Sequence, residues 1–306
     1  MYMQLNTLSA KKKLDMFDHK IIDGRKIAKT ILGQVSARTK LLTDRGLPPK
    51  IASISIGENP AVNVYIRNQK NAAEAVGINF EHLNLAQSFG EDGLLEKIGE
   101  LNASADVTGI IIQRPVSDDI SIKKVQTAID PRKDIEGMNP VSIGNIVYND
   151  LELGPCTAVA AVELLKSTPL TLQGLEVVMI GHSEIVGKPV AFLLMSEGAT
   201  VTVCHHMTRN LAVHTRKADA VLVAVGKVGL LTGDMIKPGA AVIDIGINSV
   251  TTEHGKTSIV GDVDFQSCVD VAGWITPVPG GVGPVTVAAL LRNAVVAAER
   301  MLPHFS

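Results

Sequence analysis

The stretch EVVMIGHSEIVGKP, residues 176–189, passes from a β-branched run through a glycine turn into a helical pattern. In doubly wound α/β domains, a glycine turn between a strand and a helix brings backbone N–H groups onto a pyrophosphate. The spacing here is G-x-S-x-x-V-G-x-P rather than G-x-G-x-x-G, and tight packing alone would explain Gly181 about equally well. Ser183 as a hydroxyl donor, with Gly226 and Gly246 closing two later strands, favours a nucleotide cleft at the carboxyl ends of the strands.

The alternation of short strands and helices extends in both directions from this turn. Strands are predicted at 176–180, 201–204, 220–225 and 241–245, with helices at 158–167 and 187–197. Upstream, strands at 50–56, 79–85 and 109–113 alternate with helices at 22–45, 63–76 and 92–103. Because a strand–helix–strand order implies a parallel sheet with helices on its faces, we predict a two-domain α/β protein. A parallel-sheet domain comprises residues 1–155 plus the C-terminal helix 285–306, and a Rossmann-type dinucleotide-binding domain comprises residues 156–284.

Composition excludes several classes of partner. The 306 residues carry a net charge of −2 and only 3% aromatic residues, so neither nucleic acid nor an anionic membrane is an expected partner. Cys156, Cys204 and Cys268 are odd in number and widely spaced, which indicates a reduced protein without a cysteine-based zinc site. Residues 1–20 do not resemble a secretory signal, and no run approaches the roughly 18 apolar residues of a membrane span. We expect a cytoplasmic protein.

Near the C-terminus, ITPVPGGVGP at residues 275–284 places three prolines and three glycines within ten residues. Proline fixes φ and glycine allows positive φ, so this segment should hold one irregular backbone shape. It ends at a predicted helix N-terminus, whose free N–H groups can receive a ligand. We interpret it as a rigid wall of a binding site. Asp244, Asp262 and Asp264 lack the spacing of metal ligands and are expected to cap turns, so no metal site is predicted.

Further motifs occur in order along the chain. They are G-x-x-P-A-x-x-x-Y from Gly57 to Tyr65, Q-x-P at 113–115, K-D-I-x-G at 133–137, P-C-T at 155–157, D-I-G-I-N at 244–248 and G-D-V-D at 261–264. With the turn at 181–189 and the segment 276–284, they closely resemble the bifunctional methylenetetrahydrofolate dehydrogenase/methenyltetrahydrofolate cyclohydrolase (FolD) family. The resemblance spans roughly residues 20–302.

This resemblance implies a folate-binding domain, a dinucleotide-binding domain and a cleft between them. A hydride would pass from the methylene carbon of a tetrahydrofolate derivative to NADP or NAD, and water would then add to the methenyl cation. The family also suggests a homodimer. Catalytic roles are implied for Tyr65, Gln69, Gln113 and Glu136. Substrate-binding roles are implied for Tyr65, Ile112, Gln113, Arg114, Pro115, Pro277, Pro279, Gly280, Gly281, Gly283 and Thr286. Cofactor-binding roles are implied for Thr157, Gly181, His182, Ser183, Val186, Gly187, His205, His206, Val225, Gly226, Gly246 and Ile247.

The chain departs from the family pattern at functional positions. Gln69 replaces a lysine important for proton handling, and an amide cannot exchange a proton near neutral pH. General acid–base help is typically worth 10²–10⁴-fold, so we expect severe impairment of water addition, whereas hydride transfer can survive. Glu136 replaces an aspartate and Arg114 a leucine. His182 and His206 replace residues suited to a 2′-phosphate, which leaves NAD and NADP both open.

Three interpretations follow from these departures. The first is a methylenetetrahydrofolate dehydrogenase with weak or lost cyclohydrolase activity. The second is a specialised paralogue acting on a modified one-carbon or folate-like substrate. The third is a catalytically silent homologue that binds a nucleotide, a folate or a partner.

Overall fold

The structure, a computed structural model, describes residues 17–302 except 152 and 252–256. The prediction about a signal segment at residues 1–20 lies almost entirely outside them. The chain forms two compact units. Of the described residues, the first unit holds 26–159 and 286–302, and the second holds 17–25 and 160–285.

The first unit is built on a three-stranded parallel sheet. In chain order its elements are α1 (Gly24–Asp44), β1 (Lys50–Ile56), α2 (Pro60–Ala75), β2 (Asn79–Leu85), α3 (Gly90–Ala103), β3 (Gly109–Ile112), α4 (Ile122–Ala128) and α5 (Pro140–Val147). The strand order is β2-β1-β3, and the register pairs Lys50 with Asn79 and Ile51 with Gly109. The five inner residues of β1 are all buried. The predicted parallel sheet is confirmed, and its core cluster is built mainly from apolar residues of β1, β3 and α3.

The second unit contains a five-stranded parallel sheet. Its elements are α6 (Cys156–Lys166), β4 (Glu176–Ile180), α7 (Gly187–Ser196), β5 (Thr200–Cys204), α8 (Leu211–Thr215), β6 (Ala220–Val223), β7 (Ala241–Asp244), β8 (Asn248–Thr251), β9 (Thr257–Val260), α9 (Phe265–Val271) and β10 (Trp274–Ile275). The last helix, α10, runs over Val282–Arg300. The sheet order is β10-β7-β6-β4-β5, and β8 and β9 form an antiparallel pair. The strand order places β4 in the interior of the sheet, as a Rossmann-type domain requires.

The predicted elements agree with the observed ones to within three residues at their predicted ends, except that the C-terminal helix, predicted over 285–306, ends at Arg300. The sequence analysis did not predict β8, β9, β10 or the four short helices α4, α5, α8 and α9. These elements are two to eight residues long, too short for a hydrophobic period to emerge. Residues 17–25 also differ from the predicted division, because they belong to the second unit. Ile22 N donates to Ile275 O at 2.9 Å, which joins this segment to β10.

One helix corrects the expectation about apolar runs. Among the described residues, α10 is long and apolar enough to cross a membrane by length and composition, with a mean hydropathy of 1.3. Of its 18-residue apolar stretch, 61% is buried inside the protein. A buried core helix passes the same test, and the burial of α10 is that of a core helix.

Candidate functional site

The first unit contains a polar pocket of about 220 Å³ at the carboxyl end of β3. Helix α2 supplies Tyr65 and Gln69, which lie one turn apart and therefore share a face. The remaining lining comes from the end of β3, the 133–138 loop and the first turns of α6 and α10. The lining residues are Tyr65, Gln69, Ile112, Gln113, Arg114, Glu136, Met138, Cys156, Thr157, Thr286 and Leu290.

A chain of hydrogen bonds holds the amide of Gln69 in this pocket. Gln113 Nε2 donates to Gln69 Oε1 at 2.7 Å and to Ser53 Oγ at 2.9 Å. The Gln69 side chain also lies near the phenol of Tyr65 and opposes the rise in its pKa. Gln69 and Gln113 are 2% and 4% exposed, so neither can reorient freely into water. Position 69 therefore offers a fixed, neutral group that holds its neighbours but cannot deliver a proton near neutral pH.

Two ionisable groups beside these hydrogen bonds, Glu136 and Tyr65, have raised pKa values. Burial raises the pKa of Glu136 from 4.5 to about 7, with nearby Arg114 opposing the rise and Asp134 adding to it. Burial also raises the pKa of Tyr65 to about 12, assisted by the negative charge of Glu136. Ile112 N donates to Glu136 Oε2 at 3.3 Å. Glu136 is thus the group in the pocket whose charge changes near neutral pH.

The K-D-I-x-G motif positions Glu136 by fixing the backbone on both sides of it. The Lys133 ammonium donates to the carbonyl oxygens of Leu101, Asn102 and Ser104 at 2.9, 2.8 and 2.6 Å, closing the C-terminal end of α3. Asp134 accepts from Asn139 N at 2.6 Å. Gly137 has φ +70°, and a Cβ there would overlap the backbone of Gly154. These residues are positioning groups for the pocket.

The second unit carries the glycine turn, and its geometry fits a bound dinucleotide. Gly181 has φ +120°, and a Cβ there would overlap Ala224 O, while a Cβ on Gly187 would overlap Gly181 O. Ser183 Oγ accepts from Val186 N at 3.2 Å and Gly187 N at 3.3 Å, which leaves its hydroxyl proton to donate. The strand, the glycine turn and the start of α7 at Gly187 form the close backbone approach that pyrophosphate binding needs.

Two buried aspartates hold the neighbouring loops, as the sequence predicted for turn caps. Asp262 Oδ2 accepts from Val225 N at 2.7 Å and Gly226 N at 3.0 Å. Asp244 accepts from the backbone N–H groups of Gly246, Asp262 and Val263, each at 3.0 Å. Burial raises the pKa of Asp244 to about 6, and these N–H donors oppose the rise. The amides of Val225 and Gly226 already have partners, so they shape the cleft through their backbone position.

The Pro/Gly segment lines a second cavity, of about 170 Å³, within the second unit. The walls of this cavity contain the predicted substrate-binding residues Pro277, Pro279, Gly280, Gly281 and Gly283. They also contain the predicted cofactor-binding residues Gly246 and Ile247. Gly281 N donates to Pro277 O at 2.8 Å, and Thr276 Oγ1 accepts from Asp244 N at 2.8 Å. These bonds hold the segment in the irregular, fixed shape that its composition predicts.

The structure thus places most of the predicted residues in three groups: the cavity lined by the Pro/Gly segment, the polar pocket and the glycine turn. The polar pocket collects Tyr65, Gln69, Ile112, Gln113, Arg114, Glu136 and Thr286, and also Thr157, which was predicted to bind the cofactor. Pro115 follows Arg114 and is exposed. The glycine turn holds Gly181, His182, Ser183, Val186 and Gly187, with His205 and His206 following the adjacent strand.

Sequence reasoning missed Ser53 as the second anchor of Gln113. Its signal was a serine at the centre of a strand that is buried along its five inner residues, and Ser53 is 0% exposed. Asn293 was also missed. Its Nδ2 donates to Ile135 O and Gly154 O, both at 2.9 Å, and so fixes the walls around Glu136 and Cys156.

Fold and site together define a two-domain α/β protein with a polar catalytic pocket in one unit and a dinucleotide-binding turn in the other. Family comparison agrees. Residues 22–136 match the tetrahydrofolate dehydrogenase/cyclohydrolase catalytic domain, and residues 155–302 match the NAD(P)-binding domain of the same family. The chain belongs to the tetrahydrofolate dehydrogenase/cyclohydrolase family.

Relatives resemble the chain over nearly its whole length. The bifunctional protein FolD of Rhodobacter capsulatus is 57% identical over 288 residues, covering 94% of this chain and 96% of the relative. The crystal structure of the bifunctional FolD dehydrogenase/cyclohydrolase of Campylobacter jejuni superposes with a TM-score of 0.87 at 39% identity, covering 92% and 99% of the two chains. The Trypanosoma brucei enzyme, solved with NADP and an inhibitor, gives 0.86 at 36% identity, covering 92% and 97%.

Proposed function

We propose that this protein is an NAD(P)-dependent 5,10-methylenetetrahydrofolate dehydrogenase with weak or lost methenyltetrahydrofolate cyclohydrolase activity. The observation that carries the proposal is the pocket in which Tyr65, Gln69, Gln113 and Glu136 converge. Membership of the family supplies the folate substrate and the nicotinamide cofactor. The dehydrogenase reaction moves a hydride from the methylene carbon to the oxidised nicotinamide and leaves a methenyl cation on the folate.

The first unit's residues would bind and orient the folate. Tyr65 is 44% exposed as a whole residue, so its ring can pack against a pterin. Its hydroxyl stays protonated and neutral at pH 7, because its pKa is raised to about 12. Glu136 would anchor the polar edge of the pterin, and its raised pKa lets it donate as well as accept a hydrogen bond near pH 7. Arg114, exposed at the rim, can pair with a carboxylate of the substrate.

The second unit's residues would hold the dinucleotide. The Ser183 hydroxyl would bind its phosphates, in the turn that Gly181 and Gly187 make narrow. The N–H groups of Val186 and Gly187 donate to Ser183 Oγ and hold that hydroxyl in place. When bound, the nicotinamide accepts the hydride. Thr157 and the loops at Val225–Gly226 and Gly246–Ile247 complete the proposed set of cofactor residues. Both NAD and NADP fit the proposal, because the turn carries His182 rather than a permanently charged arginine.

Gln69 is the reason for proposing weak hydrolysis. Dehydrogenation needs two ligands positioned against each other, which Gln69 can support through the hydrogen bond that it accepts from Gln113. Water addition needs a proton to be taken from the attacking water, and the amide at position 69 cannot take it. The methenyl product should therefore accumulate.

The proposal is tested with purified protein, 5,10-methylenetetrahydrofolate and either NAD or NADP. Reduced nicotinamide and methenyl absorbance are followed together. We expect reduced cofactor to form with at least one nucleotide and the methenyl species to accumulate in step with it. Absence of reduction with both nucleotides, in protein that binds folate, would overturn the dehydrogenase assignment.

A separate pair of variants tests the role of position 69. Gln69→Lys should raise methenyl hydrolysis by roughly 10²–10⁴-fold, the usual contribution of a positioned acid–base group. Asn68→Lys is the matched control, because it adds the same charge at the adjacent, exposed position. An equal gain in both variants, or no gain in Gln69→Lys while dehydrogenation persists, would mean that another residue limits hydrolysis.

We also propose a cytoplasmic homodimer, as the family resemblance suggests. The three free, buried cysteines are consistent with a reducing compartment. Light scattering combined with size-exclusion chromatography would report a mass of about two chains, and a single-chain mass would refute the dimer.

A further inference from the structure

Three histidines from two adjacent strand ends lie together in the second unit. His182 follows β4, and His205 and His206 follow β5. Their ring centroids are 4.7 Å apart for His182–His205, 5.8 Å for His205–His206 and 6.1 Å for His182–His206. One nitrogen from each ring lies within 4.8 Å of the nitrogens from the other two. The sequence analysis predicted no metal site, because it considered the cysteines and the three aspartates Asp244, Asp262 and Asp264 and not these histidines.

The sheet brings these rings together. Strands β4 and β5 are parallel neighbours, with Ile180 opposite Cys204. Gly181 N donates to Cys204 O at 2.8 Å, so the pairing continues past the last strand residues and sets His182 beside His205. His205 begins a turn that is closed by two hydrogen bonds, from Thr208 N to His205 O at 2.8 Å and from His205 N to Thr208 Oγ1 at 2.9 Å. A site on such rigid elements needs little reorganisation to bind its ligand.

Imidazole nitrogens are ligands for zinc and for neighbouring divalent transition metals. Ligand nitrogens bound at 2.0–2.1 Å to a tetrahedral ion lie about 3.4 Å apart, so the rings must close by roughly 1 Å. His182 and His206 are exposed and can make that adjustment by rotating their side chains. His205 Nδ1 accepts from Met207 N at 3.2 Å, and metal binding would cost this one long hydrogen bond on a half-exposed ring.

We propose that His182, His205 and His206 form a three-histidine site for one divalent transition-metal ion of the zinc class, with water completing its coordination. Three protein ligands and an open position are the pattern of accessible zinc sites rather than of closed structural ones. Because His182 also belongs to the glycine turn, a bound ion would add positive charge beside the phosphates of the dinucleotide. That consequence rests on the proposed function, whereas the metal site itself does not.

The test uses untagged, full-length protein freed of metal with a chelator. Co²⁺ serves as the probe, because its visible d–d absorption reports coordination number and geometry, and Zn²⁺ is then added to displace it. We expect binding of one Co²⁺ per chain with a visible band of tetrahedral or five-coordinate type. Removing a residue that only hydrogen-bonds a metal ligand typically lowers metal affinity by roughly 10–100-fold. Removing a ligand itself should cost at least as much, so His182→Ala and His206→Ala should each weaken Co²⁺ binding by at least about tenfold.

His19→Ala is the matched control, because it removes an exposed histidine elsewhere in the chain. It should leave Co²⁺ affinity unchanged. A wild-type protein without a d–d band, or an equal loss in His19→Ala and His206→Ala, would overturn the site. His182→Ala changes a residue of the tight turn, so His206→Ala provides the second variant. The fluorescence of Trp274, the single tryptophan, checks that each variant keeps the second unit folded.

If the protein binds NAD(P) but no Co²⁺, the metal site fails and the proposed function stands. If it binds Co²⁺ at these histidines but neither nucleotide, the proposed function fails and the metal site stands.

Discussion

Glu136→Gln tests the electrostatics of the polar pocket in the first unit. Burial raises the pKa of Glu136 from an ordinary 4.5 to about 7. At pH 7 roughly half of the molecules should carry a protonated Glu136, compared with about 0.3% for a carboxyl group of ordinary pKa. Each factor of ten in acidity is worth about 1.4 kcal/mol, which gives roughly 3 kcal/mol for the whole rise. Water at the pocket opening screens part of this, so we expect about 1–2 kcal/mol.

The sign of the effect follows from proton uptake. Between pH 4.5 and 7 the folded protein holds a proton on Glu136 that the unfolded chain has released. Stability contributed by this group is therefore full below pH 4.5 and is lost as the pH rises through about 7. Glu136→Gln cannot lose a proton, so its free energy of unfolding should fall less steeply across that window.

Two measurements check this prediction. Carboxyl ¹³C NMR of selectively labelled protein, with Glu136→Gln identifying the resonance, should give a titration midpoint near 7. Urea unfolding followed by far-UV circular dichroism at several pH values should give the predicted difference in slope. Glu100→Gln is the control, because it makes the same chemical change on the exposed surface of α3 and should leave the slope unchanged.

Arg114 provides an internal check on why the pKa of Glu136 is raised. Its positive charge lowers the pKa of Glu136, so Arg114→Ala should move the NMR midpoint upward. A wild-type midpoint below about 5.5, or a downward movement in Arg114→Ala, would refute the reasoning, because burial could then not be the dominant influence on this carboxyl group.

Three further substitutions test the supports of the two sites. Asp262→Ala leaves the N–H groups of Val225 and Gly226 without their acceptor, so the second unit should lose roughly 2–4 kcal/mol, measured by urea unfolding with Trp274 fluorescence. A loss below 0.5 kcal/mol would contradict this role. Gly181→Ala places a Cβ against Ala224 O at positive φ, so dinucleotide binding measured by calorimetry should weaken at least about tenfold; unchanged affinity would show that the turn relaxes. Lys133→Met removes the donor to three carbonyl oxygens at the end of α3 and should cost roughly 2–4 kcal/mol by far-UV circular dichroism, whereas a stabilised variant would show that burial of the ammonium outweighs its bonds.

Much of the fold could be predicted from the sequence because its main strands are buried on both faces. The alternating segment KIASISI at 50–56 and the apolar run AVLV at 220–223 both form buried strands, and the glycine at 181 marks the turn after β4. The antiparallel pair β8–β9 could not be predicted. Its strands are only four residues long and half exposed, so neither composition nor alternation distinguishes them from loop.

The candidate site was predictable only where the family resemblance or a helical period placed residues together. Tyr65 and Gln69 are one turn apart, and their shared face follows from helix geometry. The bond from Gln113 to Ser53 joins residues 60 positions apart, and the three-histidine cluster joins 182 to 205 and 206. Such contacts depend on which strands are neighbours in the sheet, and that order is a property of tertiary packing.

The two reactions of the family make different physical demands, and we propose that the polar pocket meets them unequally. Hydride transfer requires that two ligands be held in contact, and the hydrogen-bond chain from Ser53 through Gln113 to Gln69 supplies rigid positioning. Hydration requires a group that changes its proton near pH 7. Among the residues that line this pocket, that property belongs to Glu136, which accepts a hydrogen bond from Ile112 N. The amide of Gln69, which accepts from Gln113, cannot exchange a proton near neutral pH. Gln69→Lys would add a titratable group at a position that the hydrogen bonds from Ser53 through Gln113 already hold in place. A gain in hydrolysis without a gain in dehydrogenation would then separate the contribution of positioning from that of proton transfer in this pocket.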